Sequence, residues 1–118
     1  MSLLRAHLAK RGALTTAELP EVEHGTWVLV GGVVTHRQRP PTAGGVTFLN
    51  LEDETGMANV ICSPGLWDRY RVLASSATAL LVRGRIESDH GGAVVNIQAD
   101  QLLALDLAAV LSRSRDYT

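Results

Sequence analysis

The chain has 118 residues, 46% of them apolar and 19% charged, enough for one modest core and enough to exclude wholesale disorder. Its formal net charge of −1 excludes the broad basic surplus through which phosphate-binding proteins gain affinity by counterion release, so any nucleic-acid contact must be local. A single cysteine excludes an internal disulfide, and no apolar run approaches bilayer length, so the expected address is the cytoplasm, without a membrane partner.

The first stretch, "MSLLRAHLAKRG", is interrupted by Arg5 and His7 and does not read as a signal peptide. Leu3, Leu4 and Leu8 fall on one side at helical spacing, with Gly12 as a stop. "LTTAELP" predicts a second short helical turn, capped at Thr15 or Thr16 and ended by Pro20. Residues 1–24 have too few apolar side chains for a core and read as a helical lead-in, suited to the tail of a preceding domain.

From Thr26 the chain turns β-like. "TWVLVGGVVTH" is a strand whose Gly31-Gly32 pair predicts a bulge or sharp coil. "RQRPPTAGG" reads as a loop, because its prolines cannot donate to a ladder. "VTFLNLE" and "MANVICS" are two strands of a hairpin turned by "DETG". "PGLWDRYRVLASS" predicts one helix, with Pro64 in its first turn and Leu66, Tyr70 and Leu73 on one side. "ALLVRGRIES" is a strand with Gly84 at a possible bulge, "DHGG" a turn, "AVVNIQA" a fifth strand, and "QLLALDLAAVLS" an apolar tail with helical character.

The order β-β-β-α-β-β is that of an OB-fold: an all-β, five-stranded barrel with a helix between strands three and four. An SH3-like barrel is the rival architecture and usually lacks that helix. The implied division is a lead-in over 1–24, the barrel over 25–105 and a tail over 106–118.

OB barrels hold extended ligands on the outer face of strands two and three. Period-two alternation directs Thr47, Leu49 and Leu51 inward and Val46, Phe48 and Asn50 outward. On the partner strand Ala58 and Val60 face in, while Met57, Asn59 and Ile61 face out. A ring at Phe48 suits base stacking, and the amides of Asn50 and Asn59 can donate to and accept from base edges. Arg37 and Arg39 would line the rim for phosphates, and Arg83 and Arg85, sharing a face of strand four, would extend the basic track. The opposing reading buries Phe48 under the apolar tail and leaves the arginines as solvated charges.

No catalytic or cofactor pattern accompanies these features. Glu52, Asp53 and Glu54 read as a hairpin turn, with Asp53 capping backbone N–H groups, rather than as a metal site. His7, His24, His36 and His90 have no metal-ligand spacing. Cys62 reads as a small strand-end side chain rather than a nucleophile. Gly31-Gly32 and Gly44-Gly45 lack the lysine and helix of a phosphate loop, and "QLLALDL" reads as a packing segment rather than a clamp-binding peptide. The expectation is a non-catalytic domain.

Four features carry a resemblance to a known family. Arg37-Gln38-Arg39-Pro40 with Thr42-Ala43 and Gly45-Val46, then "LEDETG" from Leu51, then Trp67 in the following helix, together with the ending "SRSRDYT", resemble the C-terminal OB domain of bacterial C-family DNA polymerases, specifically the error-prone translesion branch. The likeness covers about residues 12–118. It departs at "VICSP", where that branch commonly has a valine-rich run ending in Trp-Pro. The strand pattern is also similar to the anticodon-binding OB domains of class II aminoacyl-tRNA synthetases, in which residues at the places of Phe48 and Asn59 read a base. The resemblance implies a module of a translesion polymerase that contacts single-stranded DNA, with Phe48 stacking, Asn50 and Asn59 making amide contacts, and Arg37 and Arg39 holding phosphates. A different class of function, docking to accessory proteins of such a polymerase, stays open because of the near-neutral charge and few aromatics. So does RNA binding on the same face.

Overall fold

β1 (Trp27–Gln38) is twelve residues long and serves two neighbours. Its first half pairs antiparallel with β4 (Ala79–Ser88) and its second half with β2 (Thr47–Asp53). β2 turns into β3 (Gly56–Cys62), and β5 (Val95–Ala104) runs antiparallel to β4 and parallel to β3. The result is a barrel of order β1-β2-β3-β5-β4, closed by a short seam of three pairs: Asn59↔Asn96, Val60↔Ile97 and Ile61↔Gln98. The structure, a computed structural model, describes residues 13–41, 44–88 and 95–105. Five strands with the helical segment between the third and fourth make the expected OB-fold.

Sharing β1 between two neighbours requires a close backbone approach where it changes partner. At Gly32 a Cβ would lie 2.4 Å from the carbonyl oxygen of Glu52, so only a residue without a side chain fits. The bulge expected at Gly31-Gly32 is absent there: the register runs unbroken through Gly31↔Leu81 and Gly32↔Leu80 and shifts instead between Val34 and His36. Gly84 does adjoin an irregularity, between Arg83 and Gly84, and a Cβ on it would lie 2.3 Å from the carbonyl oxygen of Gln98.

The barrel fills with Val28 and Val30 of β1, Leu49 and Leu51 of β2, Ala58 and Val60 of β3, Leu80, Val82 and Ile86 of β4, and Ile97, Ala99 and Leu102 of β5. Leu66 and Ala74 close one end. They sit on two helices, α1 (Pro64–Arg69) and α2 (Arg71–Ser76), where the sequence predicts one. Tyr70, at φ −111° and ψ 25°, separates them. Ser63 starts α1 by accepting a hydrogen bond from Leu66 N at 3.2 Å, ahead of Pro64 in the first turn.

The lead-in is stitched to the barrel. Thr16–Glu21 forms a 3₁₀ turn in which Glu18 accepts hydrogen bonds from the backbone and hydroxyl of Thr15, both at 2.9 Å. Pro20 lies inside the turn rather than ending it. Leu19 is buried in the barrel core, and Leu14 N–H donates to Leu29 O at 2.8 Å. At the other end, β5 continues to Ala104, through the first four residues of the stretch expected to be helical. An extra residue, Asp100, falls between the pairs Arg83↔Gln101 and Gly84↔Ala99, which returns Leu102 to the core. Leu105 is buried outside the barrel beside Ala79 and Leu81. The predicted helix over 3–11, the "DHGG" turn with Asp89 and His90, and the tail over 106–118 lie outside the described residues.

Candidate nucleic-acid interface

The β2–β3 hairpin presents the alternation read from its sequence. Thr47, Leu49, Leu51, Ala58 and Val60 are buried, whereas Phe48, Asn50 and Ile61 are half-buried and Asn59 is exposed. Residues opposite one another in a sheet project from the same side. Register therefore assembles two outward rows. One runs Gln38–Phe48–Ile61–Gln98–Arg85–Trp27 and the other His36–Asn50–Asn59–Asn96–Glu87. The second row sets three amides side by side, and Asn96 was not among the residues picked from the sequence. The alternation of "VVNIQA" around the inward Ile97 is the signal that could have found it.

Asn50 has a fixed orientation. Its amide donates to the hydroxyl of Thr35, the residue displaced at the β1 irregularity, while Thr35 Oγ1 lies 3.4 Å from Asn50 O. Asn59 faces it across the hairpin. A planar ring next to a held amide is an arrangement that can stack a base and read its edge.

Arg37 and Arg39 are placed differently from the sequence reading. Arg37 belongs to β1, not to the following loop, and is the register partner of the inward Leu49. Its guanidinium donates to the carbonyl oxygens of Ala74 (2.7 Å) and Ala77, at the C-terminal end of α2. Arg39 donates from Nε to Thr47 Oγ1 at 3.0 Å, with its guanidinium carbon 5.3 Å from the centre of the Trp67 ring. Both arginines thus lie on the side of the closing helices, away from the Phe48 row. The cause is the extra residue at Thr35, which restarts the alternation so that odd-numbered side chains after it point toward the helices.

Arg83 and Arg85 do project outward from one face of β4, and they converge on an aromatic side chain that the sequence reading passed over. Trp27 is 49% exposed, with Arg83 Cζ at 4.7 Å and Arg85 Cζ at 5.5 Å from its ring centre. Arg83 also reaches Asp100 at 3.3 Å. The signal was present: Val28 and Val30 facing in places Trp27 and Leu29 outside.

The hairpin acids behave as a turn. Asp53 accepts from Thr55 N (2.8 Å), Thr55 Oγ1 (2.6 Å) and Gly56 N (3.1 Å), and also from Thr16 N and Thr16 Oγ1. Burial alone would raise its pKa, but the hydrogen bonds from Thr55 and Thr16 outweigh it and hold the carboxyl below its ordinary value. Cys62 is fully buried, and burial pushes its thiol up to about 11, which suits packing rather than nucleophilic attack. Among the described residues, no three His, Cys, Asp or Glu side chains are grouped to hold a metal ion.

A five-stranded barrel with this connectivity and this outer face is an OB-fold nucleic-acid-binding domain. The anticodon-type family of such domains matches residues 28–105, and the chain belongs to it. Over 114 residues the chain is 59% identical to an error-prone DNA polymerase of Nocardia farcinica, and over 119 residues 55% identical to that of Corynebacterium efficiens. These matches cover 97% and 99% of this chain but 10% and 11% of the polymerases, so the chain spans about a tenth of the length of the curated relatives it matches. The resemblance to the error-prone branch read from the motifs is borne out. Among solved structures, the barrel superimposes on asparaginyl-tRNA synthetase from Pyrococcus horikoshii with a TM-score of 0.65 at 18% identity, over 79% of this chain and 23% of that one. It matches the OBody AM1L10 bound to hen egg-white lysozyme with a TM-score of 0.61 at 24% identity, over 79% and 92%. At those identities the likeness is one of fold.

Proposed function

We propose that this domain is a non-catalytic module of an error-prone DNA polymerase that holds single-stranded DNA during damage tolerance, working in the cytoplasm. The observation that carries the reading is the outward Phe48 beside the paired amides Asn50 and Asn59, on the barrel face that OB domains use for extended ligands. Phe48 supplies a stacking surface and the amides supply edge contacts that every base can satisfy in some orientation. Arg37 and Arg39 contribute through the closing helices and the start of β2, and the phosphates fall to Arg83 and Arg85. The high identity to error-prone polymerases over nearly the whole chain supports the assignment of the parent enzyme.

The test is fluorescence anisotropy of a labelled oligothymidylate titrated with the domain at low and moderate salt. Binding should weaken as salt rises, and Phe48→Ala should weaken it by the equivalent of about 1–3 kcal/mol. Affinity that ignores both salt and Phe48 would sink the reading.

A second reading, docking of an accessory protein of the polymerase, draws on the net charge of −1 and on the engagement of Arg37 and Arg39 within the domain itself. It requires an oligonucleotide-independent interaction that hardly responds to salt.

A further inference from the structure

Resting on the single-strand reading, we infer that the bound strand leaves the β2–β3 face, crosses β5 and meets a second stacking station at Trp27, flanked by Arg83 and Arg85. One ring is too little for an OB-fold, which engages about 4–16 nucleotides. Phe48 accounts for one base. The register then defines where the others lie, because Phe48↔Ile61, Ile61↔Gln98, Gln98↔Arg85 and Arg85↔Trp27 are consecutive partners with side chains on the same side. Four steps between strands place Trp27 roughly 19 Å from Phe48 along the curved surface, at about 4.8 Å per step. That separation fits a short run of nucleotides held at both ends.

The chemistry at the far end suits a base with its phosphate. Trp27 keeps about half of its surface exposed because Val28 and Val30, which follow it in β1, fill the barrel, and alternation leaves the indole outside with Leu29. An open depression of about 380 Å³ adjoins it, lined by Leu14, Trp27, Val28, Leu29 and Arg83, with apolar walls for a ring and a cation at its edge. The two guanidiniums are already gathered at the indole, at 4.7 and 5.5 Å from its centre. Among the described residues, Arg83 and Arg85 are the strand-borne arginines on the outside of the barrel, since Arg37 turns to α2. For a chain with a net charge of −1, phosphate contacts concentrate where these two cations stand. Arg85 is the less engaged of the two, because Arg83 also pairs with Asp100 at 3.3 Å. Gln98 and Ile61, between the two rings, offer one amide and one apolar surface without an opposing charge.

The experiment uses the full 118-residue chain carrying Trp67→Phe, so that indole emission reports Trp27. Oligothymidylates of 3 nucleotides, too short to reach from Phe48 to Trp27, and of 12 nucleotides are titrated, with anisotropy of a labelled strand read in parallel. The longer strand should quench Trp27 and bind more tightly than the shorter one. Trp27→Ala should weaken the longer strand roughly 5- to 150-fold, the range for losing one base stack, while leaving the shorter one within about twofold. Trp27→Phe should restore most of the loss, and thermal melts should show the Ala variant still folded at the assay temperature, so that the loss is one of stacking. Arg85→Gln should lower the salt slope for the longer strand by about 0.7, the value of one single-strand phosphate. If Phe48→Ala weakens both strands but Trp27 neither quenches nor matters, the second station is overturned and the single-strand reading stands. If neither length binds at low salt, both fall.

Discussion

Thr16 and Asp53, thirty-seven residues apart, are joined by two hydrogen bonds of 2.8 Å, from the backbone N–H and from the hydroxyl of Thr16 to the two carboxylate oxygens. One acid thereby closes the β2–β3 turn and fastens the 3₁₀ turn that carries Leu19 into the core. Asp53→Ala should cost about 1–3 kcal/mol, from several charge-assisted hydrogen bonds lost at a partly shielded site. The pH dependence has a definite sign. The folded pKa lies below the ordinary 3.8, so the contribution is fully present above that value and disappears as pH falls through the folded one. Thermal melts of the parent and Asp53→Asn should therefore differ at neutral pH and converge as the pH falls below the folded value. A constant gap below that value would refute the account.

Arg37 and Arg85 should separate stability from binding. Arg37→Ala removes two donors from the C-terminal carbonyls of α2 and should destabilise the domain by about 1–2 kcal/mol, with the salt slope of oligonucleotide binding unchanged. Arg85→Ala should do the reverse: little change in melting temperature and a shallower salt slope. Urea melts and salt titrations on both variants check the pair, and a flattened slope in the Arg37 variant would return that residue to the phosphate contacts.

Gly84 and Gly65 make opposite forecasts for the same substitution. A Cβ at Gly84 would lie 2.3 Å from Gln98 O and 2.8 Å from Ile97 Cγ2, so Gly84→Ala must force β4 and β5 apart, costing about 1–3 kcal/mol or more. Gly65, in α1, has nothing within 4 Å of a Cβ, and Gly65→Ala should stabilise by about 0.4–1 kcal/mol. Differential scanning calorimetry reads both, at roughly 4–8 °C per kcal/mol for a domain of this size. Equal effects would contradict the packing described.

Cys62 should be inert in the folded protein. Raising its pKa from 9.0 to about 11 leaves roughly a hundredfold less thiolate at neutral pH, and full burial blocks access as well. A thiol-specific disulfide reagent should react only on unfolding, at full rate in urea. Fast reaction of the native domain would place Cys62 at the surface.

Much of this molecule was legible in short windows of sequence. Alternation over "TFLNL" and "ANVI" put Leu49, Leu51, Ala58 and Val60 inside and Phe48, Asn50 and Asn59 outside. Asp53 followed by Thr55 and Gly56 gave the turn, and the β-β-β-α-β-β order gave the barrel, because hydrophobic period and turn chemistry act within a few residues. What the windows could not contain is an extra residue whose effect depends on the partner strand. The displaced residue at Thr35 turned Arg37 and Arg39 toward the helices, and Asp100 carried β5 on to Ala104 where local pattern favoured a helix. The meeting of Trp27 with Arg83 and Arg85 likewise exists only across a strand pair separated by more than fifty positions. Sequence alone determined which side chains were apolar enough to fill a barrel and which ring was left outside it. Register decided which residues stand beside that ring, because pairing between distant strands is fixed by the packing of the whole core.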